Sequence, residues 1–502
     1  MPGSDSLNVF FQRNEAIQVR NLKRKEYNRL MKQMNQILRI VFLSVFLSGC
    51  MGKAEPGKAK YVFYFIGDGM GVNQVIGTEM YLAEQEGRIG SKSLSFTTFP
   101  VRNHLTTYSG TNAVTCSAAA GTALAIGVKT QNGRIGTDRD GRALPSIAWK
   151  AKQAGKRVGI TTSVAVNHAT PAVFYAHQLD RQMYYEIGTD AAKTGFDFYG
   201  GAGWKQIFSS RDSSATDLYS LLRDSGYVVI DHTSDFRALS AGRERVVYVQ
   251  SEDCVNPSSL PTAIDRGAGD MTLSDITGKA IRFLSEQNDE GFFLMVEGGI
   301  IDWLCHANDA GAAFREIVDF SDAIQVALEF YKTHLDETLI IVTADHETGG
   351  LALGCGPYEL NLKVLANQKS SIIGLTRKIK QLKESRGLKL AYADLRGLLT
   401  CECGFGETVE LSPEEEQLVR EACLKATASK GIQLLKSEHA MVDPVAQLAI
   451  EILNRKALIR WASGGHSAGA VPVYAIGVGA EQFGRISDNT EIHGIIEEVA
   501  GY

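Results

Sequence analysis

Short apolar runs rich in valine, isoleucine and aromatic residues alternate along this chain with longer segments whose apolar positions recur every three or four residues. The first pattern predicts buried strands and the second amphipathic helices, and their alternation marks a largely parallel sheet covered on both faces. Strands are predicted at Tyr61–Ile66, Arg157–Val164, Val246–Gln250, Phe292–Val296, Thr338–Thr343 and Val471–Ile476, and helices at Ser117–Ile126, Ala310–Lys332 and Asp443–Lys456. In the second helix Phe314, Ile317, Val318, Phe320, Ile324, Ala327 and Leu328 fall on one face, which is expected to pack on the sheet. The stretch from Cys355 to Leu458 breaks the alternation. It holds a basic amphipathic segment from Asn361 to Arg386, a Cys401-Glu402-Cys403 turn, and a helix opened by Ser412-Pro413-Glu414-Glu415, a capping box with proline at the first helical position. The expected fold class is α/β, a large mostly parallel sheet sandwiched between helices, with an inserted subdomain at about residues 355–458.

The amino terminus reads as a signal, not as fold. An apolar run from Ile37 to Leu47, broken by Arg39 and Ser44, follows Lys23, Arg24, Lys25, Arg29 and Lys32 and ends in Leu47-Ser48-Gly49-Cys50. The run is too short to span a bilayer as a helix. Its ending resembles a bacterial lipobox, in which Cys50 is lipidated and becomes the first residue. Residues 1–49 are thus expected to be a signal region with translation starting at Met31, residues 50–59 a lipidated tether, and residues 60–502 the folded domain. This predicts an exported protein, lipid-anchored on the periplasmic side of a bacterial membrane.

Residues 1–49 carry 8 of the 52 basic and 3 of the 57 acidic residues, so the remainder holds 44 basic and 54 acidic side chains, a net charge near −10. Such a balance argues against a nucleic-acid-binding role. Of the eight cysteines, Cys355, Cys401, Cys403 and Cys423 cluster in the inserted stretch, where one or two disulfides are expected of an exported protein. His104, His232, His334, His439 and His493 lack ligand-like surroundings, and His177 reads as structural.

Five motifs carry candidate chemistry: Gly67-Asp68-Gly69-Met70-Gly71, the stretch Val114 to Gly121 around Ser117, Glu297 to His306, Thr343 to Gly350, and Gly464 to Gly469. Open α/β sheets bind ligands beyond the carboxyl ends of their strands. Asp68, His168 with Thr170, Glu297, and Asp345 with His346 each follow a predicted strand. Asp302 and His306, four residues apart, lie one helical turn apart or on a tight loop and can hold one ion, and His466 can supply a third ligand. Imidazole and carboxylate suit zinc, whereas an oxygen-rich set suits magnesium. Two cations about 4 Å apart stabilise the entering and leaving oxygens of an in-line phosphoryl displacement. Ser117 begins a helix, whose free amides and dipole favour negative charge, although in isolation it would be an ordinary capping serine.

Taken together, these motifs resemble the alkaline phosphatase family across nearly all of the chain after its signal. The resemblance implies two zinc ions and one magnesium ion: zinc on Asp302, His306 and His466; zinc on Asp68, Asp345 and His346 with Ser117; magnesium on Asp68, Thr170 and Glu297. It implies that Ser117 is a nucleophile passing through phosphoserine, that Arg181 grips two phosphate oxygens, that small phosphomonoesters are the substrates, and that the protein is a homodimer. Three positions depart from many relatives. Cys116 stands where an aspartate orients the arginine, which predicts a more mobile Arg181 and weaker hold on phosphate. His168 and Trp303 stand where relatives have aspartate and lysine; placed in the layer around the ligands, they open the third site to another divalent ion. A sulfatase would need Cys-x-Pro-x-Arg, and Cys116 is followed by Ser117-Ala118. A phosphodiesterase of the same superfamily, or a metal-binding lipoprotein without turnover, is the alternative reading.

Overall fold

The computed structural model describes residues 57–502 apart from 241–243, 251–257, 357, 388–389, 429–433 and 437–440, and before residue 57 only Lys25, Arg29, Met31 and Lys32. The signal region, the lipidation site Cys50 and His439 lie outside the described residues. Lys58–Tyr502 forms one compact unit. No helix among the described residues is long and apolar enough to cross a membrane.

Strands β1 (Tyr61–Gly67), β2 (Val101–Leu105), β3 (Arg157–Thr162), β4 (Phe198–Gly201), β5 (Tyr227–Ile230), β6 (Arg245–Val249), β7 (Phe292–Gly298), β8 (Thr338–Thr343) and, later in the chain, β15 (Val471–Gly477) form one sheet. Their order is β2-β15-β8-β1-β7-β3-β4-β6-β5. Between β8 and β15 lie three short antiparallel pairs: β9 (Glu347–Thr348) with β14 (His466–Ser467), β10 (Leu351–Leu353) with β13 (Ile459–Trp461), and β11 (Leu435–Lys436) with β12 (Met441–Val442). Every residue of β1, β7 and β8 is buried, as continuous apolar strands of a sheet covered on both faces must be. The predicted strands all form, with ends shifted by one or two residues, and the sheet also recruits β2, β4 and β5, which are short and carry little pattern.

One strand runs against the rest. β15 is antiparallel to both β8 and β2, while the remaining neighbours pair in parallel. Because β15 runs opposite to β8, the chain enters the sheet at Val471 from the carboxyl edge. His466 therefore precedes the start of a strand yet lies on the edge where the other strands end.

The inserted stretch builds helices Ile372–Arg386, Tyr392–Cys403, Pro413–Ala428 and Pro444–Lys456 around a second apolar cluster that includes Leu375, Leu399, Val419 and Leu453. The Ser412 capping box forms, with Glu415 N–H donating to Ser412 Oγ at 3.2 Å and Ser412 N–H to Glu415 Oε2 at 2.9 Å. The six cysteines among the described residues are all free thiols, which corrects the expected disulfides. Cys403 and Cys423 pack as small apolar side chains in the second cluster, and burial pushes their thiols up to about 12 and about 11, whereas Cys355 and Cys401 are exposed.

Helix Ala310–Tyr331 spans both cores: Ile317, Phe320, Ile324 and Ala327 join the sheet cluster, but Phe314 joins the second cluster with Tyr81 instead of facing the sheet. Asp309, fully buried, stitches the seam. Its Oδ1 accepts from Ala312 N–H, capping this helix, at 3.1 Å and from Gln368 Nε2 at 2.8 Å, while Oδ2 accepts from Ile372 N–H at 2.7 Å. Asp309→Ala orphans these donors, so it is expected to lower stability by about 2–4 kcal/mol, read as a lower denaturant midpoint with an unchanged slope.

Candidate metal centre

The register of the sheet collects the candidate residues. Ile66 of β1 lies opposite both Glu297 of β7 and Thr343 of β8, and Glu297 lies opposite Thr162 of β3. Asp68, Glu297, Asp345 with His346, and His168 with Thr170 therefore leave four adjacent strands at one level. Gly69 lets their loops close. Its φ is +71°, and a Cβ there would lie 2.9 Å from both Asp302 Cα and Thr348 Oγ1. Its N–H donates to Asp345 Oδ1 at 3.1 Å, and its carbonyl accepts from Thr348 N–H at 3.2 Å.

Asp302 and His306 occupy the first and last turns of the helix Ile300–His306, and both are buried. His306 Nε2 is 3.3 Å from Asp302 Oδ2 and 3.1 Å from His466 Nε2, and His466 Nε2 is 3.7 Å from Asp302 Oδ1. The other ring nitrogens face carbonyls, which only accept: His306 Nδ1 donates to Gly464 O at 2.6 Å and His466 Nδ1 to Thr115 O at 2.8 Å. Each ring is thereby fixed with an Nε2 lone pair turned inward, the arrangement of a metal-ligating imidazole.

His346 forms the next corner. Its Nε2 lies 3.0 Å from Asp345 Oδ2, 3.4 Å from Asp68 Oδ1 and 3.2 Å from Ser117 Oγ. Its Nδ1 meets Thr348 Oγ1 at 3.2 Å, and that hydroxyl donates to Asp302 Oδ1 at 2.6 Å. Asp68, Asp345 and His346 place ligand atoms within 4.8 Å of one another, as do Asp302, His346 and His466, and likewise Asp68, His168 and Glu297. His168 thus stands among the ligand atoms of the third group, closer than the surrounding layer expected for it. The Trp303 ring lies edge-on to His168, with ring centroids 5.9 Å apart. Thr170 donates to Asp68 Oδ2 at 3.0 Å, and Thr162 donates to Glu297 Oε2.

The electrostatics of the cluster are those of crowded, buried acids. Burial first, then the charges of Asp345, Asp302 and Glu297, pushes Asp68 well above the usual carboxylate range. Burial likewise pushes Glu297 up to about 8. Burial opposes ionisation of Asp302 too, but His306, His466 and His346 hold it well below its ordinary value. Burial and His346 bring His466 down to about 4. Asp68 Oδ1, Glu297 Oε1 and Asp345 Oδ2 are buried with no hydrogen-bond partner among the described residues. Converging lone pairs with too few protons between them fit divalent cations.

Ser117 is 1% exposed and is the first residue of the helix Ser117–Ile126; the capping position itself falls to Cys116, whose side chain makes no capping bond. Cys116 Sγ accepts from Gly133 N–H at 3.1 Å, and Arg181 N–H donates to Gly133 O at 2.7 Å, so one loop ties both residues to the site. The Arg181 guanidinium donates to His168 Nε2 at 3.2 Å. His177 Nε2 meets Leu144 O at 2.8 Å, away from this cluster. Sequence reasoning passed over Thr162, Thr348 and Glu347. Glu347 accepts from Gly350 N–H and Ser467 Oγ and braces β9 against β14. Two of the three lie inside the Thr343 to Gly350 motif, and their signal was only their adjacency to ligands.

The family model for alkaline phosphatase matches residues 59–200 and 250–502. Alkaline phosphatase 4 of Bacillus subtilis (strain 168) is 34% identical over 393 residues, 77% of this chain and 76% of that protein. Alkaline phosphatase 3 of the same organism is 32% identical over 449 residues, 88% of each. The crystal structure of a cold-active alkaline phosphatase from the psychrophile Shewanella sp. superposes with a TM-score of 0.74 at 28% identity, covering 88% of this chain and 99% of that one. The same strand ends that carry the buried carboxylates and imidazoles fall within the matched residues, and the chain belongs to the alkaline phosphatase family of phosphomonoester hydrolases.

Proposed function

We propose that the protein hydrolyses a range of small phosphomonoesters through a phosphoserine at Ser117. The observation that carries this reading is the position of Ser117 Oγ, at a helix amino terminus and 3.2 Å from the candidate ligand His346. Asp302, His306 and His466 would hold one zinc ion, Asp68, Asp345 and His346 a second, and Asp68, Glu297, Thr170 and His168 a third ion, magnesium or another divalent cation. Bound there, these cations lower the pKa of a coordinated hydroxyl and neutralise charge developing on phosphate oxygens.

The chain's own groups do the rest. Ser117 Oγ gives its proton to solvent and attacks phosphorus; the ester P–O bond breaks, and the departing oxygen takes a proton from solvent to leave as the alcohol. Water then attacks the phosphoserine and yields a proton to solvent, while the P–Oγ bond breaks, Oγ is reprotonated and phosphate is released. The first amides of the Ser117 helix favour the negative charge gathered there. Arg181 turns its fork to two non-bridging oxygens, a geometry that a lysine cannot copy. A phosphodiesterase reading is weaker, because the third ligand group and Arg181 suit a terminal dianionic phosphate. Export and lipidation at Cys50 rest on the amino-terminal pattern, and a homodimer rests on the resemblance.

Ser117→Ala is expected to lower kcat by on the order of a thousand-fold or more, and acid-quenched wild type to carry one phosphate on Ser117 by peptide mass spectrometry; absence of that label sinks the mechanism. Cys116→Asp should pair with Arg181, tighten phosphate inhibition several-fold and slow turnover where product release limits it; unchanged inhibition removes the role given to position 116.

Metal removal has a pH signature. In the cation-free protein Glu297 ionises at about 8, above its ordinary 4.5, so the folded state binds the extra proton and stability falls as pH rises towards 8. His466, brought down from 6.5 to about 4, works in the opposite sense, but only between those two values. From pH 6.5 to 8 the chelated protein should therefore lose more melting temperature than the cation-loaded protein, in which Glu316, raised by burial to about 8, still titrates. Thermal melts of both forms across that window test it.

A further inference from the structure

Beside the centre, a cavity of about 240 Å3 lies where the end of the helix Ile300–His306 meets the helix Pro444–Lys456 and β13. Asn308, Glu451, Asn454, Arg455, Arg460 and Trp461 contribute to its wall, with apolar side chains between them. The volume far exceeds that of a bare ion yet falls below the roughly 300–1,000 Å3 of ordinary small-molecule sites, which suits a single ring with one polar substituent.

Its wall is polar and unsatisfied. Asn454 is 5% exposed; its Nδ2 donates to Asn308 O at 2.6 Å, but its Oδ1 has no hydrogen-bond partner among the described residues. The same holds for Arg455 Nε and Nη2 and for Trp461 Nε1. Glu451 Oε1 is 3.9 Å from Arg455 Nε, too far for a hydrogen bond, and Arg460 spends Nη1 on the carbonyl of Ile459 at 2.9 Å. Two guanidinium groups against one carboxylate leave the wall positive. The Trp461 indole is fixed by its seat, since Gly349, with φ +88°, leaves room where a Cβ would come within 2.4 Å of the ring. An indole beside guanidinium groups reads a flat ring carrying an anionic group.

The wall also shares backbone with the centre. Asn308 Nδ2 donates to Cys305 O and Ser463 O at 2.9 Å each, and the next residue after Ser463, Gly464, accepts from His306 Nδ1. Groups that order Asn454 and Trp461 thereby act on the two segments that orient His306 and His466.

We propose that this cavity is an effector site for a small aromatic carboxylate, bound through Arg455 and Trp461 and sensed at the His306–His466 end of the centre. It is separate from the phosphate-binding groups Ser117 and Arg181. The test uses the cation-loaded full chain and a fluorinated benzoate, followed by fluorine NMR, with fluorobenzyl alcohol as the neutral analogue. Saturable broadening of the benzoate that survives excess inorganic phosphate is expected, with none for the alcohol. Arg455→Gln should weaken binding about tenfold or more, and the exposed Arg460→Gln, which leaves packing untouched, should weaken it several-fold. The benzoate should also change kcat for an aryl phosphate in wild type, and Arg455→Gln should abolish that change while keeping the basal rate. Absent saturation, equal binding by both variants, displacement by phosphate, or binding without any kinetic effect each overturns the proposal. None of these outcomes touches the Ser117 label, so failure here is distinguishable from failure of the hydrolase reading.

Discussion

The structure depends on holding several carboxylates and imidazoles out of water at one edge of the sheet. Left to themselves these groups resist ionisation: burial and mutual repulsion drive Asp68 and Glu297 upward, and their free oxygens find no donors. A buried, unpaired charge costs several kcal/mol. Divalent cations would remove that cost and turn it into affinity, so that the cluster that destabilises the bare fold is also the proposed seat of its chemistry. The raised carboxylates and the orphaned oxygens are two readings of one electrostatic fact.

Rigidity around the cluster comes from ordinary hydrogen bonds. Carbonyls of Gly464 and Thr115 fix two imidazoles by accepting from their outer nitrogens, and Thr348 ties His346 to Asp302. Such partners set which nitrogen faces inward before any ligand arrives. Gly69 serves the same end by steric means, because a side chain there would push apart three of the segments that meet.

The second apolar cluster links the insertion to function. Helix Ala310–Tyr331 belongs to both cores, Asp309 joins them, and the inserted helix Pro444–Lys456 leads through β13 to His466. The insertion thus supports the return segment that carries a candidate ligand, and the cavity beside Trp461 lies in the same joint.

Much was legible from the chain alone. Continuous apolar runs such as Tyr61–Gly67 and Thr338–Thr343 can only be buried strands, and the acidic and imidazole residues that follow them must then meet at one edge. Asp302 and His306 were legible from a four-residue spacing that a helical turn or a tight loop could serve, and the helix Ile300–His306 is what forms. What no local pattern carried were the long-range choices. The antiparallel entry of β15, which brings His466 to the ligand edge, depends on where the insertion leaves the chain. The side chain of His168 lies among third-site ligand atoms and in reach of Arg181 because β3 and its following turn pack there. Clustered cysteines suggested disulfides, yet two helices bury Cys403 and Cys423 in an apolar core, while Cys401 and, in the loop after β10, Cys355 are left in solvent. Sequence determined which groups exist and on which strand ends they ride, since periodicity and residue chemistry are local. Only tertiary packing decided which atoms face each other, because those distances are set by segments hundreds of residues apart.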